Sequence, residues 1–151
     1  MKAGELMSRN VITAGTGTTI EEIAHLLSDN NISGLPVVDK DGRLVGIVTQ
    51  KDVLYKDIEP RFPPIVQLLG GNIFLKGVKH YNEELKKLIA TKAEDIMTKD
   101  VVTVEEETEV EKVAELMVEN GVNRIPVTKD KKLTGIIGRA DIVRYLAGTL
   151  E

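Results

Sequence analysis

Two short stretches carry the side chains best suited to holding a small molecule. One is Gly46-Ile-Val-Thr49-Gln50-Lys51-Asp52, and the other, 89 residues further on, is Gly135-Ile-Ile-Gly138-Arg139-Ala-Asp141. A carboxylate at Asp52 or Asp141 offers acceptor sites to a pair of hydroxyl donors. Each falls in the first turn of an expected helix, where free backbone N–H groups favour an anion such as phosphate. Thr49 adds a hydroxyl, with Gln50 and Lys51 beside it. The second stretch has Gly138 in that place and loses the contact, while Arg139 brings a cation able to grip phosphate as a fork. Thr-x-x-Asp is also the spacing of a helix cap, the Thr accepting from the first turn and the Asp opposing the helix dipole. Asp141 persists beside a glycine that has no hydroxyl to complete such a box, and this favours a ligand role.

Little else in the chain offers chemistry. There is no cysteine, the two histidines His25 and His80 are far apart, and neither a Gly-x-Ser-x-Gly elbow nor a Gly-x-x-x-x-Gly-Lys phosphate loop occurs. With no convincing carboxylate pair either, the expectation is a protein that is not an enzyme and carries no metal or cofactor. A net charge of −4 and a pI near 5.3 leave no basic stripe for nucleic acid, whose affinity comes from neutralising many phosphates. No apolar run approaches a membrane span, and Lys2 and Glu5 interrupt the N-terminal stretch, so a cytoplasmic protein with no membrane partner is expected. The 42% apolar and 29% charged residues are those of a folded chain, with only 3% aromatic side chains for stacking.

The elements that position these stretches are written twice. Sliding the sequence by 90 residues lays Met7-Ser-Arg-Asn-Val-Ile-Thr13 on Met97-Thr-Lys-Asp-Val-Val-Thr103, and Pro36-Val37 on Pro126-Val127. After one deletion, Leu44, Gly46-Ile47 and Asp52 fall on Leu133, Gly135-Ile136 and Asp141. Each copy reads as strand, helix, strand, strand, helix. Ile20, Ile23, Ala24 and Leu27, like Val110, Val113, Ala114 and Met117, form one apolar helical stripe. Thr18 with Glu21, and Thr108 with Glu111, have capping-box spacing, while Asn30-Asn31 and Asn120-Gly121 suit helix ends. Pro36 and Pro126 lack a ladder donor, which predicts an edge position or a strand's first residues, with backbone open to a ligand. The copies occupy residues 1–56 and 94–151. Residues 57–93 join them, with short helical patches expected at residues 65–69 and 82–89, as a decorated connection or a docking surface.

Met-x-x-x-Val-x-Thr, a short helix, a hydrophobic-Pro-Val triplet and the Gly-Ile-Val-Thr-Gln-Lys-Asp52 run together resemble a CBS (cystathionine-β-synthase) domain, and two in tandem resemble a Bateman module. The resemblance implies an α/β (α+β) fold of two βαββα repeats packed pseudo-symmetrically through their sheets, with two clefts between them. It implies adenosine ligands in those clefts (AMP, ADP, ATP or S-adenosylmethionine) acting as regulatory signals, and homodimers in the form of flat disks. Carried onto this sequence, Asp52 and Asp141 would take ribose hydroxyls. Ile12, Ile32, Ser33 and Pro36 would face Asp141, and Val102, Val122, Asn123 and Pro126 would face Asp52. Arg124 would be a further phosphate contact in the first of these clefts. The expected function is thus a ligand-sensing module with an unidentified effector protein; the alternative is a ligand-free dimerising scaffold or partner-docking protein.

Overall fold

The computed structural model describes residues 1–58 and 91–149. Its elements are α1 (Ala3–Leu6), β1 (Ala14–Gly15), α2 (Ile20–Asp29), β2 (Gly34–Val38), β3 (Leu44–Thr49), α3 (Gln50–Ile58), α4 (Ala93–Ile96), β4 (Val104–Glu105), α5 (Val110–Asn120), β5 (Arg124–Lys129), β6 (Lys132–Gly138) and α6 (Arg139–Thr149). The strand-helix-strand-strand-helix unit expected from the repeat is present twice. Each copy builds a three-stranded sheet, β1-β2-β3 and β4-β5-β6, whose middle strand runs parallel to the first and antiparallel to the third. The helical patches expected at residues 65–69 and 82–89 lie outside the described residues.

The apolar stripes bury as their spacing requires. Ile23 and Leu27 of α2, and Val110, Val113 and Met117 of α5, are buried against Leu35, Val37 and Val48 in one half and Ile125, Val127 and Ile137 in the other. Asn31 (φ 52°) and Gly121 (φ 62°) take the left-handed turn after each helix, and the Asn30 and Asn120 amides donate to the Leu26 and Leu116 carbonyls at 2.9 Å.

The helix starts differ from the expected register. The cap of α2 is Thr19, whose hydroxyl accepts from Glu22 N–H while the Glu22 carboxylate accepts from Thr19 N–H. In α5 the equivalent residue is Glu109, whose side chain makes no cap bond. Thr18 and Thr108 instead close the preceding turns, accepting from Gly15 N–H at 2.9 Å and Glu105 N–H at 3.2 Å. Consecutive Thr18-Thr19 and Glu21-Glu22 offer two equally spaced boxes, and spacing alone does not choose between them.

The prolines also sit elsewhere than expected. Pro36 and Pro126 are fully buried, inside the middle strand of each sheet. They are tolerated there for a geometric reason. Pro36 pairs with Ile47, whose N–H and C=O turn away from β2 to bond Thr98, so Pro36 occupies a position without ladder bonds to β3. On its other side β1 reaches only Val37 and Val38. Pro126, opposite Ile136 and its Ser8 partner, repeats the arrangement.

Those Ser8 and Thr98 bonds belong to an exchange between the halves. Ala3 N–H donates to Thr108 O and Ala93 N–H to Thr18 O, both at 2.7 Å, so α1 docks on the second half and α4 on the first. Ala3 and Met7 lie in the core with Val104 and Ile125, while Ala93 and Met97 join Ala14 and Leu35. Gly46 and Gly135 have no side chain because the Met97 and Met7 side chains fill the space a Cβ would take. The hairpin tips meet as well: Leu44 N–H donates to Lys131 O at 3.1 Å and Leu133 N–H to Gly42 O at 3.2 Å.

Candidate functional site

Both acidic motifs stand where a third strand ends and a helix begins. Gln50 N–H donates to Ser33 O and Arg139 N–H to Asn123 O, each at 2.9 Å, which ties the start of α3 and of α6 to the loop before its own middle strand. Oδ2 of Asp52 accepts from Thr49 N–H at 2.8 Å and from the Thr49 hydroxyl at 3.1 Å. Oδ2 of Asp141 accepts from Gly138 N–H, also at 2.8 Å. This corrects one step of the sequence argument: the turn needs only a backbone N–H, so Asp141 beside Gly138 is satisfied structurally without a hydroxyl.

The remaining oxygens differ. Oδ1 of Asp141 accepts from the Arg144 guanidinium at 2.7 Å, whereas Oδ1 of Asp52 has no partner among the described residues. Asp52 is half-buried at the first turn of α3.

Next to Thr49 a cavity of about 370 Å³ opens between the two repeats, within the range of small-molecule sites. Of the expected residues it brings together Thr49, Gln50, Ser33, Val102, Val122, Asn123 and Arg124. Val102, Val122 and Asn123 thus join the Thr49 side, and so do Ser33 and Arg124, which the resemblance had set on the Asp141 side. Ile12 and Ile32 pack against the first half's core, and Pro36 and Pro126 lie within the sheets; none of these four lines the cavity, and neither do Asp52, Gly138, Arg139 and Asp141. Arg139 is exposed, and its guanidinium donates to the Asn123 side-chain oxygen.

The cavity also takes in Lys51, Thr98 and Asp100. The last two were not anticipated, although they sit inside the Met97–Thr103 motif. Their signal was Ile47, whose backbone pairs with Thr98 and brings that motif alongside β3.

Arg124 has the most telling surroundings. It is half-buried on the cavity wall, its guanidinium donates to the Ser33 hydroxyl across the repeat boundary, and no carboxylate among the described residues pairs with it. Desolvation lowers its pKa from the usual arginine value. A guanidinium still keeps its charge at neutral pH, so the wall holds a partly desolvated cation that an anion would relieve.

Comparison with known proteins agrees with this architecture. Residues 3–59 and 93–148 both match the CBS domain family, and the chain belongs to it. An uncharacterized protein of Methanocaldococcus jannaschii is 32% identical over 151 residues, an alignment taking in 94% of this chain and 89% of the relative. The inosine-5'-monophosphate dehydrogenase of the same organism is 35% identical over 144 residues, which are 95% of this chain but 23% of that enzyme. Among solved structures, CBSX2 of Arabidopsis thaliana in complex with AMP has a TM-score of 0.77 at 25% identity, covering 99% of this chain and 98% of the other. The CBS domain pair of MJ0100, in complex with 5'-methylthioadenosine and S-adenosyl-L-methionine, has a TM-score of 0.74 at 27% identity, covering 99% and 98%. The fold is therefore a tandem CBS pair.

Proposed function

We propose that this chain is a regulatory sensor that binds an adenosine-containing ligand in the cleft between its two CBS repeats and performs no catalysis of its own. The observation that carries the reading is Arg124, a half-buried cation without a carboxylate partner among the described residues, facing a cavity lined by Thr49, whose hydroxyl bonds Asp52. A ribose suits the Asp52 carboxylate, whose Oδ1 has no partner among the described residues, an adenine base suits the apolar Val102 and Val122, and an anionic group suits Arg124. The AMP and S-adenosyl-L-methionine found with the related pairs support adenosine as the common half. A ligand that fits one arrangement of the repeats better than another shifts their populations, and this is how such a module reports occupancy without chemistry.

The exposed Leu54 on α3 and Val143 on α6, at equivalent places in the two repeats, support self-association into a homodimer through these helices, with an effector protein as reader. The protein works in the cytoplasm on this reading. Among the described residues no helix is long and apolar enough to cross a membrane.

The test is thermal unfolding with AMP, ADP, ATP and S-adenosylmethionine in turn. At about 100 times Kd a ligand stabilises by roughly 2.7 kcal/mol, or very roughly 5–10 °C for a domain of this size. A shift for one of them identifies the signal. Unchanged unfolding with all four removes the sensor reading and leaves the dimerising scaffold.

A further inference from the structure

We infer that each chain binds one adenosine ligand, in the Thr49–Arg124 cleft, and that the related cleft at Gly138 is a structural remnant of the repeat. The inference rests on the sensor reading above and says which of its two sites is used. Two differences between the equivalent positions point the same way.

The first is the cation. Position 124 in the second repeat corresponds to Gly34 in the first, and the Arg124 guanidinium occupies the space that a Cβ on Gly34 would need. A second arginine at position 34 is therefore excluded while Arg124 holds this place. Arg124 is committed by its Ser33 bond to the wall of the first cleft. Arg139, at the other helix start, is exposed and donates to Asn123.

The second difference is the hydroxyl, present at Thr49 and missing at Gly138. Losing one neutral and one charge-assisted hydrogen bond weakens binding on the order of 100-fold, enough to leave the second cleft empty at concentrations that fill the first.

Calorimetric titration of the full chain with AMP, ADP, ATP and S-adenosylmethionine tests this. The expected result is one equivalent per chain for the ligand that binds, and loss of at least tenfold in affinity for all of that binding in both Asp52→Asn and Arg124→Gln. Circular dichroism and melting confirm that each variant is folded, and Arg124→Lys serves should Arg124→Gln fail to fold. Two equivalents per chain overturn the one-site inference while the sensor reading stands, as does half-stoichiometric binding that survives in the Asp52 and Arg124 variants. No heat with any of the four overturns the sensor reading and this inference with it.

Discussion

Gly46 beneath Met97 and Gly135 beneath Met7 are one contact made twice, whereas Gly34 and Arg124, related by the same repeat, have opposite roles. The first pair lies where the two halves hold each other, the second where the cleft opens. Close packing explains why the former stays symmetrical: both halves must offer the same gap to the same intruding side chain, and the interior tolerates little change in volume. The cleft is under no such demand. One half can donate a cation across the boundary only if the other leaves room for it, so a useful site at this boundary is asymmetric by construction.

The largest effect is expected where the halves are alike. Gly46→Ala places a Cβ about 2.5 Å from the Met97 sulfur and 3.0 Å from its Cβ, so the docked segment has to shift. A cost of about 1–3 kcal/mol is expected, and Gly135→Ala should match it within about 1 kcal/mol. Urea unfolding measures both. Combining Gly46→Ala with Met97→Ala should cost less than the sum of the two single changes, because the truncated Met97 leaves the space the new methyl needs. Strictly additive costs, or sharply unequal glycines, would break the claim that the exchange is symmetrical.

A smaller effect should appear where the repeats diverge at a helix start. Thr19 and Glu109 are equivalent residues facing equivalent lysines, Lys92 and Lys2. Thr19 closes a capping box, so Thr19→Ala should destabilise by about 1 kcal/mol. Glu109 makes no cap bond; its carboxylate meets Lys2 Nζ and lies 3.7 Å from the Met1 amino group. The loss in Thr19→Ala should persist in high salt, and that in Glu109→Ala should vanish there. Equal salt dependence of the two would show that the divergence has no energetic content.

How much of this was legible in the sequence depends on how local each feature is. The helix stripes and the Asn-based helix ends follow from spacing within a few residues, the repeat from a direct match of the sequence with itself, and each is in place. Which of Thr18 and Thr19 caps α2 was not legible, since the two boxes are offset by only one residue. The exchange of α1 and α4 joins residues about a hundred positions apart, and a four-residue helix has no periodicity to announce it. Gly46-Ile47 and Gly135-Ile136 were visible as matching pairs, but the reason for them is a methionine from the opposite half and a backbone ladder to Thr98 or Ser8. Of the candidate site, Thr49, Gln50 and the Val102, Val122 and Asn123 wall were readable from motif position, because the sheet carries those positions to the cleft. Arg144 on Asp141, and Arg124 lying over Gly34, depend on side-chain geometry that no spacing rule encodes.

The pH dependence at Glu109 gives the smallest and sharpest comparison. Hydrogen bonding to Lys2, with its charge and that of the N-terminus, holds the Glu109 carboxyl below the usual carboxylate range, and the same contact raises Lys2. A carboxyl whose folded pKa is depressed contributes stability above its unfolded pKa of about 4.3, and that contribution disappears as pH falls through the folded value. A lysine whose folded pKa is raised contributes below its unfolded pKa of about 10.4 and loses the contribution as pH rises through the folded value. The pair is therefore fully formed between these limits, and both groups are exposed, so its effect is small and screened by salt. Glu109→Gln should flatten the acid limb of a stability-versus-pH curve slightly at low salt and leave it unchanged at high salt. Thr19→Ala should lower the whole curve without changing its slope, since a hydroxyl cap binds no proton in this range. An acid limb altered by Thr19→Ala, or untouched at low salt by Glu109→Gln, would mean that these equivalent positions do not divide capping and charge between the repeats.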